Sequence, residues 1–258
     1  MSWIQEWLAA HPAPPRQARP RGVEISYSQA RAYLDCPWRH KLKYVDFQRS
    51  ASTPASSLGV SIHRALEAFH RERADSWERL LELYEESWVH YGFSTPQEQM
   101  EWHRQGEGIL RTYLDDEARR KSEIVCVERE FLFPLGPHQV RGMIDRIDRR
   151  PEGGYEVIDY KTHLDFETED EAAQNLQLRI YGLGVKECLG LEPAWLTLYY
   201  VAAPRRVTVP YDASQEDEVL ALVERIADLV ALRKALKPET SRCPECEFRA
   251  RCTHSTAK

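Results

Sequence analysis

Residues 141–161 read RGMIDRIDRRPEGGYEVIDYK. Two β-prone runs, Gln139 to Ile147 and Tyr155 to Tyr160, flank Arg149-Arg150-Pro151-Glu152-Gly153-Gly154, whose proline and paired glycines are turn chemistry. The stretch predicts a hairpin. Residues two apart in a strand share a face, so Asp159 and Lys161 point to one side, and the hairpin brings Asp145 beside them. Two carboxylates and one ammonium meeting at one place is the layout expected of a phosphodiester-cleaving centre. The acids would hold a hard divalent cation, magnesium or manganese, and the lysine would orient or activate the attacking water. The backbone carbonyl of Tyr160, next to Asp159, is a third candidate ligand. The plainer explanation is a surface ion pair. Against it, both acids are embedded among Met143, Ile144, Ile147, Val157 and Ile158, and carboxylates in apolar settings usually have a partner or a metal.

Outward from the hairpin, Glu123 to Phe133 reads as a preceding strand, Glu169 to Cys188 as a following helix, Trp195 to Val201 and Val207 to Tyr211 as strands, and Ser214 as the cap of a last helix to Leu236. Upstream, Ser26 and Gln29 fit a capping box, and Leu58 to Phe69 leads into a helix that carries His63. Residues 50–57, SASTPASS, read as a flexible loop. Trp77, Leu80, Leu81, Tyr84 and Trp88 recur at helical spacing, as do Trp102, Ile109, Leu110 and Tyr113 more loosely; both stretches read as a covering helical lobe. This order predicts an α/β domain with a mixed central sheet flanked by helices. A tail and linker over 1–22 would precede a domain over 23–258, with a helical insertion at about 64–121. Within the tail, residues 1–10 could form a short amphipathic helix and His11 to Pro20 a linker.

His63 could add a ligand, although a lone imidazole is weak evidence for a magnesium-type site. Gln177 and Tyr181 share a helix face one turn apart and could contact a phosphate or a base, or could be ordinary interior polar residues.

The 258-residue chain is long enough for a real core, and no apolar run reaches membrane-spanning length. Without a convincing signal peptide, the expected location is the cytoplasm. The net charge of −6 argues mildly against a basic nucleic-acid coat. Local clusters, such as Arg39 to Arg49, Arg146 to Arg150 and Arg205-Arg206, could still line a groove.

Three of the six cysteines crowd into Cys243-x2-Cys246-x5-Cys252. A cytosolic chain would not keep structural disulfides, and three thiolates leave a tetrahedral site incomplete. Cys36, at a Cys-Pro helix end, is the candidate fourth ligand and His254 the local rival. Spacing leaves zinc and an iron–sulfur cluster both open.

Together, GMIDRID, VIDYKT, His63 upstream and Gln177-x3-Tyr181 downstream resemble the PD-(D/E)XK nuclease superfamily, most of all its RecB-like branch, which includes the RecB and AddB nuclease domains and the CRISPR-associated RecB-like exonucleases. The resemblance covers about residues 25–255. It implies Asp145, Asp159 and Lys161 as catalytic residues, with His63, Asp145, Asp159 and the Tyr160 carbonyl as Mg2+ or Mn2+ ligands. It implies Gln177 and Tyr181 as DNA-contacting or lysine-positioning residues. It also favours a [4Fe–4S] cluster on Cys36, Cys243, Cys246 and Cys252 over zinc, tying the two ends of the domain together. The activity so implied is a metal-dependent DNase on single-stranded ends or flaps, in repair, recombination or defence against foreign DNA. The alternative is a silent DNA-binding or scaffold subunit. The chain has no Gly-x4-Gly-Lys-Ser/Thr motif, so work on duplex DNA would need a partner such as a helicase.

Overall fold

The computed structural model describes residues 2–13, 22–233 and 238–257. The chain folds as two compact units. One comprises Met1–Ala51, Phe131–Gly142 and Asp212–Lys258; the other comprises Ser52–Glu130 and Met143–Tyr211.

The second unit holds the predicted hairpin. Residues 123–130 of β2 (Glu123–Leu135) and 143–149 of β3 (His138–Arg149) belong to it, with β4 (Tyr155–Lys161), β5 (Pro193–Tyr200) and β6 (Arg205–Pro210). Strands β3 and β4 are antiparallel, with Arg146 opposite Ile158 and Arg149 opposite Tyr155. The turn between them depends on Gly153 and Gly154, at φ 96° and 82°, a region that side chains disfavour. Strand β4 runs parallel to β5, with Asp159 level with Leu198, and β5 runs antiparallel to β6. The sheet is therefore mixed, as its sequence order suggests.

A parallel neighbour requires a crossover. Here it is helical, but the single helix expected over 169–188 is two: α7 (Glu169–Ala173) and α8 (Leu176–Leu189). The chain breaks between them because Asn175 leaves helical geometry and caps α8, its side chain accepting from the Leu178 N–H.

Three helices cover the other face of this sheet: α4 (Pro54–Glu72), α5 (Trp77–Ser87) and α6 (Pro96–Glu117). Their apolar stripes, among them Ile62, Leu66, Leu80, Tyr84, Leu110 and Tyr113, form one core with Ile158, Tyr160, Tyr199 and Val201 of the sheet side. The covering lobe is thus packed as its periodicity predicts. The loop expected over 50–57 is shorter than that, because α4 already begins at Pro54. Thr53 and Ser56 form a reciprocal capping box around a proline in the first turn, which is a helix start written in residues that also favour loops.

In the first unit, β1 (Glu24–Ser26) pairs in parallel with the start of β3. Ser26 caps α2 (Tyr27–Asp35) by accepting from the Gln29 N–H, which is the Ser26 half of the expected box. A short α3 (Pro37–His40) and a π-helical turn, Lys41–Val45, follow. The N-terminal residues form α1 (Trp3–Ala10), which packs on α9 (Glu216–Ala231) with Ile4 fully buried. Arg225 of α9 donates to the His11 carbonyl. The linker expected over 11–20 falls largely outside the described residues, whereas the last helix, expected to reach Leu236, already ends at Ala231, with Leu232 as its C-cap. Ser214 does not cap α9. It lies in a 3-10 turn, Ala213–Gln215, itself capped by Asp212. Among the described residues, no helix is long and apolar enough to cross a membrane.

Candidate active site

Asp145, on β3, is buried at 8% exposure, and Asp159, on β4, at 3%. Pairing brings them together, and the Tyr160 N–H donates to Asp145 Oδ2 at 2.7 Å. Two strand positions past Asp159, the Lys161 ammonium lies 2.6 Å from Asp159 Oδ2. Oδ2 is buried, and the Lys161 ammonium is its partner.

Helix α8 supplies the residue that fixes this pair. The Gln177 side-chain N–H donates to Asp159 Oδ1 at 2.7 Å, and its carbonyl accepts from Lys161 Nζ at 2.9 Å. The same Gln177 amide nitrogen donates to the Tyr181 hydroxyl at 2.9 Å. The two residues expected to share a helix face do so. Gln177 holds the acid and the lysine, and Tyr181 holds Gln177. Burial pushes the Tyr181 hydroxyl far up, so it stays protonated.

Helix α4 closes the site from the other side. His63 Nδ1 lies 3.6 Å from Asp145 Oδ1 and 4.0 Å from Glu128 Oε1. One ligand atom from each of His63, Glu128 and Asp145 lies within 4.8 Å of the others, a group able to hold a metal ion. Glu128 is the residue that sequence reasoning missed. Its φ of 43° is left-handed within β2, which breaks the strand's alternation and changes where its side chain points. Nothing in Val127-Glu128-Arg129-Glu130 announces that irregularity; the one available signal was a carboxylate on the strand before the hairpin.

Crowded acids repel one another's charge. Burial, with the charge of Asp145, pushes Glu128 up to about 7. Burial also raises Asp159; Lys161 opposes this and Asp145 adds to it, and the result is about 6. His63 is pulled down by burial, but Asp145, Asp159 and Glu128 outweigh that and lift it to about 9. The arrangement favours positive charge, whether protons or a cation. The three-residue group, with two carboxylates among its donors, fits a hard divalent ion.

The opposite face of the hairpin is not a substrate surface. Arg146, from a cluster that could have lined a groove, is fully buried. It donates to Asp148 at 2.5 and 2.8 Å, to Glu117 at 2.6 Å and to the Tyr113 hydroxyl at 3.1 Å. Arg120 links Asp148 to Glu156 at 2.6 and 3.2 Å. Buried charges endure when paired in this way.

In the first unit, Cys36, Cys243, Cys246 and Cys252 line one cavity of about 220 Å3, with Trp38, Arg39, Arg242, Arg249 and His254 around it. All six cysteines are free thiols. Among the described residues, no three of these ligands converge closely enough for a single ion. The four cysteines share this cavity.

The sequence matches the PD-(D/E)XK nuclease superfamily over residues 24–253. No curated protein matches it. A solved structure from Eubacterium rectale, provisionally named an exonuclease, aligns over 91% of this chain and 91% of its own, at 12% identity and a TM-score of 0.54. That is a likeness of fold. The structure of SSO0001 aligns over 97% of this chain and 91% of its own, at 16% identity and a TM-score of 0.42. With the superfamily matched across nearly the whole chain, and the mixed sheet carrying its acids and lysine at adjacent strands, the protein belongs to the PD-(D/E)XK nuclease superfamily.

Proposed function

We propose that this nuclease is a divalent-metal-dependent deoxyribonuclease of the RecB-like kind that trims single-stranded DNA ends or flaps. The observation that carries the proposal is the convergence of Asp145, Asp159, Lys161 and Gln177 from three elements, with His63 and Glu128 closing the site. A retired site has no reason to keep this set aligned.

Asp145, Asp159, His63, Glu128 and the Tyr160 carbonyl would hold Mg2+ or Mn2+. The ion, when bound, polarises the phosphoryl oxygen, lowers the pKa of water and stabilises the leaving alkoxide. Lys161 supplies a fixed positive charge beside the attacked phosphate or the water. Gln177 keeps Lys161 and Asp159 in register, and Tyr181 keeps Gln177 from rotating.

The same reading gives Cys36, Cys243, Cys246 and Cys252 a [4Fe–4S] cluster. What supports it is that all four thiols line one cavity, four cysteines being the ligand count that such a cluster takes. The cavity also holds Trp38, whose indole N–H is buried without a partner, a donor suited to a cluster sulfur. Hydrogen bonding from the Thr256 backbone lowers the Cys243 thiol toward its ligating form.

The test is cleavage of end-labelled single-stranded and duplex DNA with Mg2+, Mn2+ or chelator. Metal-dependent shortening from the labelled or unlabelled end supports the proposal and reads the polarity. Tight DNA binding with no cleavage under any metal would move the chain to a scaffold role.

A further inference from the structure

The segment directly after Lys161, residues 162–168, joins β4 to α7. Connections usually turn large apolar side chains inward or lack them. Here Leu164 is 60% exposed and Phe166 is 37% exposed. This exposure is built in. The rings of His163 and Phe166 meet Tyr200 edge-on, at 5.6 and 5.0 Å between centroids, and Tyr200 is itself fully buried. The Glu167 N–H donates to the Tyr200 hydroxyl at 2.8 Å. The Asn175 amide donates to both Glu167 carboxylate oxygens, at 2.9 and 3.0 Å. The loop is tied at its aromatic side and at its exit, and the apolar atoms stay on the outside. The Arg205 guanidinium lies 4.8 Å over the Phe166 ring.

We propose that Leu164 and Phe166, with Arg205, form a platform for nucleobases of the strand being cut. The inference rests on the nuclease reading above and adds a subsite to it. Leu164 is three positions past Lys161, so the chain can carry its backbone no more than roughly 10 Å away. That is about three nucleotide steps of a stacked strand. The platform therefore meets bases close to the scissile phosphate. Its surroundings suit bases better than backbone. Asp165 is exposed beside it, and Glu169, Asp170 and Glu171 follow in the first turn of α7. These acids disfavour phosphates, whereas an apolar surface with a ring accepts the uncharged face of any base.

The experiment is a series of single-stranded oligonucleotides, each with one abasic position stepped along the strand, assayed for cleavage with Mn2+ and for binding in chelator. For the intact chain, an abasic position within about three nucleotides of the cut bond should raise KM and the dissociation constant by about fivefold or more, with more distant positions having less effect. Leu164→Ser, at an exposed position, and Phe166→Ala should weaken intact DNA to the same degree and lose the position dependence; Phe166→Trp should restore it. The loss should fall on KM rather than on kcat. Cleavage and binding indifferent to abasic position would overturn the platform and leave the nuclease reading standing. Position-dependent binding without cleavage would do the reverse. Neither binding nor cleavage would overturn both.

Discussion

At the residue scale, Gln177 is where the site is most exposed to a small change. Its amide bridges Asp159 and Lys161 alongside their direct ion pair, and Tyr181 fixes it in turn. Gln177→Leu should keep the helix and lower kcat by about 10- to 100-fold, the usual cost of losing a group that orients catalytic residues; KM for DNA should change little. Steady-state kinetics distinguish this from a binding defect. The acids carry a second expectation. Asp159 rises from 3.8 to about 6, Glu128 from 4.5 to about 7 and His63 from 6.5 to about 9. All three bind protons more tightly folded than unfolded, so the stability they add is present at low pH and lost as pH rises through those values. A divalent ion competes for the same atoms. Its stabilising effect should grow between about pH 6 and 9. Melting curves with and without Mn2+ check this, and a metal-induced shift that shrinks with pH would contradict it.

At the element scale, the helices of the covering lobe are set by caps and by one close approach. Thr53→Ala removes the α4 cap at an exposed position and should cost about 1 kcal/mol in denaturant unfolding. Gly106, on α6, has no room for a side chain: an added Cβ would lie 1.9 Å from the Tyr84 hydroxyl of α5. Gly106→Ala should therefore destabilise by about 1–3 kcal/mol through overpacking, against the usual gain from alanine in a helix. This scale also shows what a sequence discloses. The hairpin, the mixed sheet and the lobe follow from alternation, turn residues and the three–four spacing of Leu80, Tyr84, Leu110 and Tyr113, all local patterns. Glu128 was illegible because its position depends on a left-handed backbone angle inside a strand, which no periodicity encodes. The buried Arg146 was misleading for a related reason. Its charge reads as surface until Glu117 and Tyr113 of α6 are seen packed on it beside Asp148 of its own strand, and the approach of that helix is a tertiary contact. The start of α4 was hidden by its own cap, since serine, threonine and proline serve loops and helix ends alike.

At the scale of the whole molecule, two chemistries share one chain. The cysteines of the first unit gather around a cavity, and the cluster proposed for them has its own test. The protein purified without oxygen should be brown, with iron and sulfide in near-equal amounts, and Cys252→Ala should lose the colour and melt at lower temperature. A colourless protein containing zinc would replace the cluster with a metal of different chemistry and leave the active site untouched. The central claim concerns the second unit, where superfamily and geometry meet at Asp145, Asp159 and Lys161. Its most direct test compares the wild-type chain with Asp159→Asn on labelled single-stranded DNA with Mn2+, with binding of the same DNA measured in parallel. Cleavage by the wild type, abolished in Asp159→Asn while DNA binding persists, is the predicted result; equal cleavage by both, or none by either, would contradict it.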